Sequence, residues 1–174
     1  MGLGNIEKSK YSYVSFNNDN GKLEFNGSFY DYVEGEFLGV GAHEFEFKGR
    51  SQKKFDIYLY DQGIIYMVQF GFYTWNTYRL MNQLLNLDKL YCKLRIIVQK
   101  NNDDTTKIFV RKNGDFLKWK HRDLNAKLKV LPPDKKEQQR NKIIDAWYQQ
   151  LLEKFSFDPE IIPKPDDDFE EEPF

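Results

Sequence analysis

The chain has 174 residues, of which 40% are hydrophobic and 30% charged; this suits one folded domain with appendages and excludes a wholly disordered chain. A single cysteine, Cys92, excludes an internal disulfide framework, and no stretch approaches the ~20 apolar residues of a transmembrane helix. The net charge of −1 joins two unlike parts: residues 156–174 hold eight acids against Lys164 alone, and the other 155 residues hold 25 basic and 19 acidic groups. A basic body with an acidic end raises the expectation of nucleic-acid contact by the body.

The opening MGLGNIEKSK has no apolar run for a signal peptide, and Ile6 breaks the myristoylation pattern, so a soluble cytoplasmic protein is expected. Residues 11–16 and 22–27, joined by NNDNG, read as a hairpin, because Asn and Gly tolerate the positive φ of tight turns. Residues 28–49 read as one long alternating strand in which Gly35, Gly39 and Gly41 mark bulges or bends. RSQKK (50–54) reads as a basic loop. KFDIYLYD (54–61) alternates Phe55, Ile57 and Leu59 against Asp56, Tyr58 and Tyr60, and IIYMVQFGF (64–72) is a more continuously apolar strand.

The period then changes. Over 74–88, Asn76, Arg79, Gln83 and Asn86 share a polar stripe, with Trp75, Tyr78, Met81, Leu84 and Leu85 opposite; this predicts an amphipathic helix with Thr74 as N-cap. Strands return at 89–100 and 107–112. Asn113-Gly114 signals a hairpin, and 115–121 is its expected returning strand. After a linker ending in Pro132-Pro133, residues 134–155 read as a second amphipathic helix, with Asp134 and Glu137 at capping-box spacing and Ile144, Trp147, Tyr148, Leu151 and Phe155 as its apolar face. Residues 156–174 are proline-containing and acidic, and are expected to be disordered.

The core order is three strands, a helix and two strands. The expected fold is therefore mainly β: an OB-fold-like five-stranded Greek-key barrel with a helix between strands three and four. It carries extra N-terminal and C-terminal-side hairpins, a C-terminal amphipathic helix and the acidic tail. The other architecture compatible with this order is a β-rich α+β sheet with helices on one face. The organisation reads as a binding domain over 1–131, a helix over 132–155 and a tail over 156–174.

Signals for catalysis are sparse. There is no phosphate-binding loop. His43 and His121 are each isolated from Cys92 in sequence, too few soft ligands for zinc, so no metal and no cofactor are expected. His43 reads as a strand surface residue, His121 as part of a basic surface and Cys92 as core. Glu46-Phe47-Lys48 has the acid-x-Lys spacing of some metal-dependent nucleases, with Asp31 or Asp56 as a possible second carboxylate. Such short matches are common in a charged chain.

Binding signals are denser. On an OB barrel, nucleic acid crosses strands two and three and is gripped by the loops flanking them. Lys48, Arg50, Lys53 and Lys54 fall at the first such loop, Tyr58 and Tyr60 on the next strand, and Lys93 and Arg95 on the fourth. Lys107, Phe109 and Arg111 fall on the fifth, followed by Lys118, Trp119 and Lys120. Interleaved cations and rings suit single strands: cations track phosphates, and rings stack on unpaired bases.

The chain ends PDDDFEEEPF. This resembles the C-terminal tip of bacterial and phage single-stranded DNA-binding proteins, where an acidic cluster leads to a terminal Pro-Phe. The resemblance implies a non-enzymatic protein that coats single-stranded DNA during replication, recombination or repair, in a bacterial cell or phage-infected host. It also implies that Asp166, Asp167, Asp168, Phe169, Glu170, Glu171, Glu172, Pro173 and Phe174 dock partner proteins of those processes. The acids of such a tip can also compete with DNA for the basic groove. The match is close over these last residues only, and the helix over 134–155 has no counterpart in the bacterial core domain, so the oligomeric state stays open. The rival readings are an RNA-binding OB protein, a metal-dependent nuclease and an assembly protein with a solubilising tail. No membrane association is expected.

Overall fold

The computed structural model of the chain describes residues 10–160. Tight turns dictate much of it. Asn17 accepts from the Gly21 amide across the turn that joins β1 (Ser12–Asn17) to β2 (Lys22–Phe25). Asn26-Gly27, both at positive φ, turns β2 into β3 (Ser28–Tyr30). Asp31 then breaks the chain from β4 (Tyr32–Phe47). The expected strand over 28–49 is thus two strands, because an Asn-Gly hairpin pairs the first three residues with β2.

Lys48-Gly49, also both at positive φ, makes a two-residue turn into β5 (Arg50–Asp61). Residues 50–54 are therefore strand and not a loop. β6 (Ile64–Gly71), α1 (Trp75–Leu84), β7 (Lys93–Lys100) and β8 (Thr106–Lys112) follow. Asn113-Gly114 turns β8 into β9, which is only Asp115–Phe116. Residues 117–121 leave the sheet, against the expected returning strand. A short helix, α2 (Leu124–Lys129), occupies the expected linker, and α3 (Pro133–Phe155) completes the fold. Its capping box is not formed: Pro133 forces an extended Pro132 (ψ 152°), so the helix begins one residue early and Asp134 falls inside the first turn.

The strands form one mixed nine-stranded sheet in the order β3-β2-β1-β6-β5-β4-β7-β8-β9, antiparallel except for β1 with β6. β4, β5 and β6 form an antiparallel meander, and after α1 β7 pairs with β4 and β8 with β7, in keeping with the expected order of three strands, a helix and two strands. Closing a five-stranded barrel also requires the last strand to return to the meander's free edge. Among the described residues that edge belongs to β1, which pairs in parallel with β6. The outer edge of β8 meets α1: the Gln83 side chain accepts from Val110 N (2.8 Å) and donates to Ile108 O (2.9 Å), replacing a neighbouring strand.

This also corrects the polar stripe of α1. Gln83 is buried, and Arg79 and Asn86 reach the carbonyls of Thr106 and Lys118. Asn82, fully buried, brackets His121 by accepting from its N–H (2.7 Å) and donating to its carbonyl (3.2 Å). The helix is wet on no complete side, because its amides serve the backbone of 106–121. Its N-cap is as expected: the Thr74 hydroxyl accepts from Thr77 N.

The core lies on the sheet face bearing Phe37, Val40, Phe55, Ile57, Leu59, Phe70, Leu94 and Ile96. Against it pack Tyr78, Met81 and Leu84 of α1, and Ile144, Trp147, Leu151 and Phe155 of α3. Cys92 is buried there, as expected. A bulge between Phe37 and Gly39 turns Leu38 to the other face, where it forms a smaller cluster with Tyr58, Ile65 and Met67. Gly39, at φ 133°, lets the chain after α3 come close: a Cβ there would sit 2.6 Å from Phe155 O. Ser156 bridges Val40, and Phe157 N donates to Val40 O. The start of the expected tail is therefore docked on the sheet through Phe157. Among the described residues no helix is long and apolar enough to cross a membrane.

Candidate nucleic-acid interface

Alternation along β4, β7 and β8 turns Leu94, Ile96, Val98, Ile108 and Val110 into the core and leaves the intervening side chains on the outer face. Register then aligns them. Glu34 pairs with Arg95, Arg95 with Arg111, and Arg111 with Phe116, giving a continuous row across four strands. The neighbouring row runs Tyr32–Ile97–Phe109. The two rows are locked by ring contacts: the Arg95 guanidinium lies 4.3 Å from the Tyr32 ring centre, that of Arg111 4.1 Å from Phe116, and Phe109 meets Phe116 edge-on at 5.7 Å. Tyr32 and Phe116 remain 50% and 56% exposed, so each ring keeps a large face in solvent.

Glu34 tempers the charge of this face. It accepts from Arg95 Nε at 2.6 Å and lies 3.1 Å from Lys93 Nζ. The Arg95 hydrogen bond holds its carboxyl below the usual range. Among the described residues Arg111 is in no ion pair, and its Nε has no hydrogen-bond partner. The chemistry on offer is that of a stacking platform: flat exposed rings, held by guanidinium groups that also attract phosphate.

The fourteen expected contact residues divide among several places. Lys93, Arg95, Lys107, Phe109 and Arg111 lie together on this outer face. Tyr60, opposite Glu36 on the same face, is half-buried beside the smaller cluster. Lys48 lies in the β4–β5 turn and Arg50 begins β5 directly after it. Lys54 lies opposite His43, with its ammonium near Phe45.

Lys53 points to the other face, 4.1 Å from the Phe72 ring centre, because it falls one residue out of phase with Lys54. Tyr58 is buried: Phe157 stacks on it at 3.8 Å and Tyr11 meets it edge-on. Lys118, Trp119 and Lys120 lie on the loop beside α1 rather than on a strand. The tail residues Asp166–Phe174 lie outside the described residues.

Sequence reasoning missed Tyr32, Glu34 and Phe116. Tyr32 and Glu34 share the alternation that was read correctly for β7, and Phe116 follows the recognised Asn113-Gly114 turn; continuing those patterns would have found them. It also missed the pairing of His43 Nδ1 with Asp56 Oδ2 at 2.6 Å. Asp56 is fully buried, its Oδ1 has no partner, and burial pushes its pKa up to about 6 against the opposing pull of His43. His43 is therefore a surface residue tied to a buried acid. His121 is stacked on Trp147 at 5.2 Å and is not part of a free basic surface.

The carboxylates considered for a nuclease do not converge. Asp31 and Glu46 stand at opposite ends of β4, Asp31 pairs with Lys22, and Asp56 is buried against His43. No group of three or more His, Cys, Asp or Glu suited to a metal ion occurs among the described residues. No protein-family model matches the chain, and comparison with curated proteins and with solved structures gives no match either.

Proposed function

We propose that the protein binds single-stranded DNA with little sequence preference, on the outer face of β4, β7, β8 and β9, in replication, recombination or repair. One observation carries this reading: the row of exposed rings and guanidinium groups from Tyr32 through Arg95 and Arg111 to Phe116. Bases stack on the rings regardless of identity, while Lys93, Lys107 and the two arginines follow the phosphates. In this reading β4 to β8 are an OB-like unit in which β1 takes the place of the last barrel strand beside β6. The acidic end, 166–174, recruits partner proteins through Phe174, an apolar anchor surrounded by charges that steer the encounter.

The test is a fluorescence titration of the full chain with oligo-dT, oligo-rU and duplex DNA. Oligo-dT should bind tightest, and affinity should fall with salt by about 0.7 log units per log unit for each phosphate neutralised. Arg111→Glu, on the exposed face, should weaken oligo-dT binding at least tenfold with unchanged circular dichroism. Equal affinity for duplex would refute the platform, and a preference for oligo-rU would move the assignment to RNA.

A further inference from the structure

A second aromatic and cationic site lies on the helical side of the molecule. Trp75, Tyr78, Arg79, Trp119, Asn125 and Lys136 line a cleft of about 290 Å³, with Lys129 at its rim. Hydrogen bonds and ring packing fix Trp75, Trp119 and Asn125 in its walls. Trp75 begins the helix directly after its cap and meets Tyr78 edge-on at 5.4 Å. Trp119 sits on a loop clamped by α1 and by the turn that follows it: Lys120 N donates to Asn82 O (2.9 Å), and the Asn86 amide donates to Lys118 O (2.7 Å). The Tyr78 hydroxyl donates to Asn125 Oδ1 at 3.0 Å, which turns the Asn125 NH₂ away as a donor with no acceptor among the described residues.

The charge is one-sided. Among the described residues none of Arg79, Lys129 and Lys136 is in an ion pair. Burial lowers the pKa of Arg79, the direction expected for a cation without a compensating anion. Two indoles, an amide donor and three uncompensated cations in one small cleft describe a receptor for a flat ring that carries hydrogen-bond acceptors and a phosphate. Ligand pockets run from about 300 Å³ upwards, so this volume suits one nucleotide and no longer segment.

The geometry points to a single-nucleotide site here, its base against Trp119 and its phosphate at Lys129, Lys136 and Arg79, with Trp75 forming a wall that carries the Lys136 ammonium 5.6 Å from its ring centre. The nucleotide is either free or one unit of a strand, and the site does not depend on the sheet platform.

The probe is dTMP, titrated into the full chain and followed by tryptophan fluorescence and calorimetry, with thymidine and inorganic phosphate as controls. dTMP should quench and bind at least tenfold tighter than either control, since base and phosphate are both read. Trp119→Ala should weaken dTMP about tenfold, in line with the loss of one stacking ring. Lys129→Glu, at an exposed position that does not threaten folding, should do the same. Arg111→Glu should leave dTMP binding unchanged, which separates this site from the platform.

A parallel loss of oligo-dT affinity in Trp119→Ala would identify the nucleotide as part of a strand, and an intact one would identify a free nucleotide. The proposal fails if millimolar dTMP causes no quench, if inorganic phosphate binds equally well, or if Lys129→Glu is without effect. It also fails if a peptide of sequence PDDDFEEEPF binds the cleft where dTMP does not.

Discussion

Phe157 lies flat on Tyr58, the two ring centres 3.8 Å apart and their planes 11° from parallel. A tyrosine placed by its strand phase on a face suited to bases is thus already stacked, by the chain's own C-terminal segment. Lys10 adds a second tie by donating to Pro159 O at 2.8 Å. The ring pair closes the smaller cluster of Leu38, Ile65 and Met67.

Phe157→Ala should therefore lower stability by about 1–3 kcal/mol, the loss of a half-buried ring and its aromatic partner. Urea denaturation measures it. Oligo-dT affinity should stay within about twofold of the wild type, because the platform of Tyr32 and Phe116 is elsewhere. A large gain in affinity would mean that Tyr58 is itself a base platform.

Glu34 spends its carboxylate on two platform cations. Glu34→Gln should tighten oligo-dT binding severalfold and steepen its salt dependence by about 0.7–1.4 log units per log unit, as Arg95 and Lys93 become available to phosphate. Binding isotherms at several salt concentrations check this. Stability should change by less than about 1 kcal/mol, since the pair is near the surface.

Gln83→Met keeps the shape of the side chain but removes both hydrogen bonds to β8. Val110 N and Ile108 O would then be buried without partners, at a cost of about 2–5 kcal/mol. Asn86→Ala also loses a bond to backbone, yet Asn86 is exposed and water can replace it, so the cost should stay near or below about 1 kcal/mol. Chemical denaturation of the two variants side by side tests whether burial sets the difference.

The Asp56 carboxyl has a folded-state pKa near 6, above its ordinary value of 3.8. The folded chain therefore holds that proton more tightly than the unfolded chain. The resulting stabilisation is complete below about pH 4 and is lost as pH rises through 6, to a total of about 3 kcal/mol. Asp56→Asn should remove this part of the slope between pH 4 and 6, measured by urea denaturation across that range.

Strand phase was legible in the sequence because alternation over β5, β7 and β8 has a strict period of two, and Asn113-Gly114 could only be a turn. The α1 helix, its Thr74 cap and the apolar face of α3 followed from 3.6-residue spacing. That the chain leaves the sheet after Phe116, where a returning strand is expected, was not legible. The residues there alternate well enough, but Asn82 of α1 and Asn86 just after it, 32 to 39 residues earlier in the chain, capture their backbone. The β4–β5 turn was hidden because Lys48 adopts a conformation usually given to Asn or Gly. Of the candidate site, the cations on β7 and β8 were readable, whereas the burial of Tyr58 depends on a distant phenylalanine that no local pattern announces.

The Gln83 amide has a consequence for how molecules of this protein meet one another. An unpaired strand edge is a template on which a second chain can add a strand, and long flat edges invite aggregation. Here one flank of the sheet offers little to copy: Gln83 occupies Ile108 O and Val110 N, and Leu117 N takes Val110 O at 2.8 Å. The opposite flank is β3, three residues long. The two end flanks of this aromatic-rich sheet are thus poor templates for a further strand, one capped by a helical side chain and the other only three residues long.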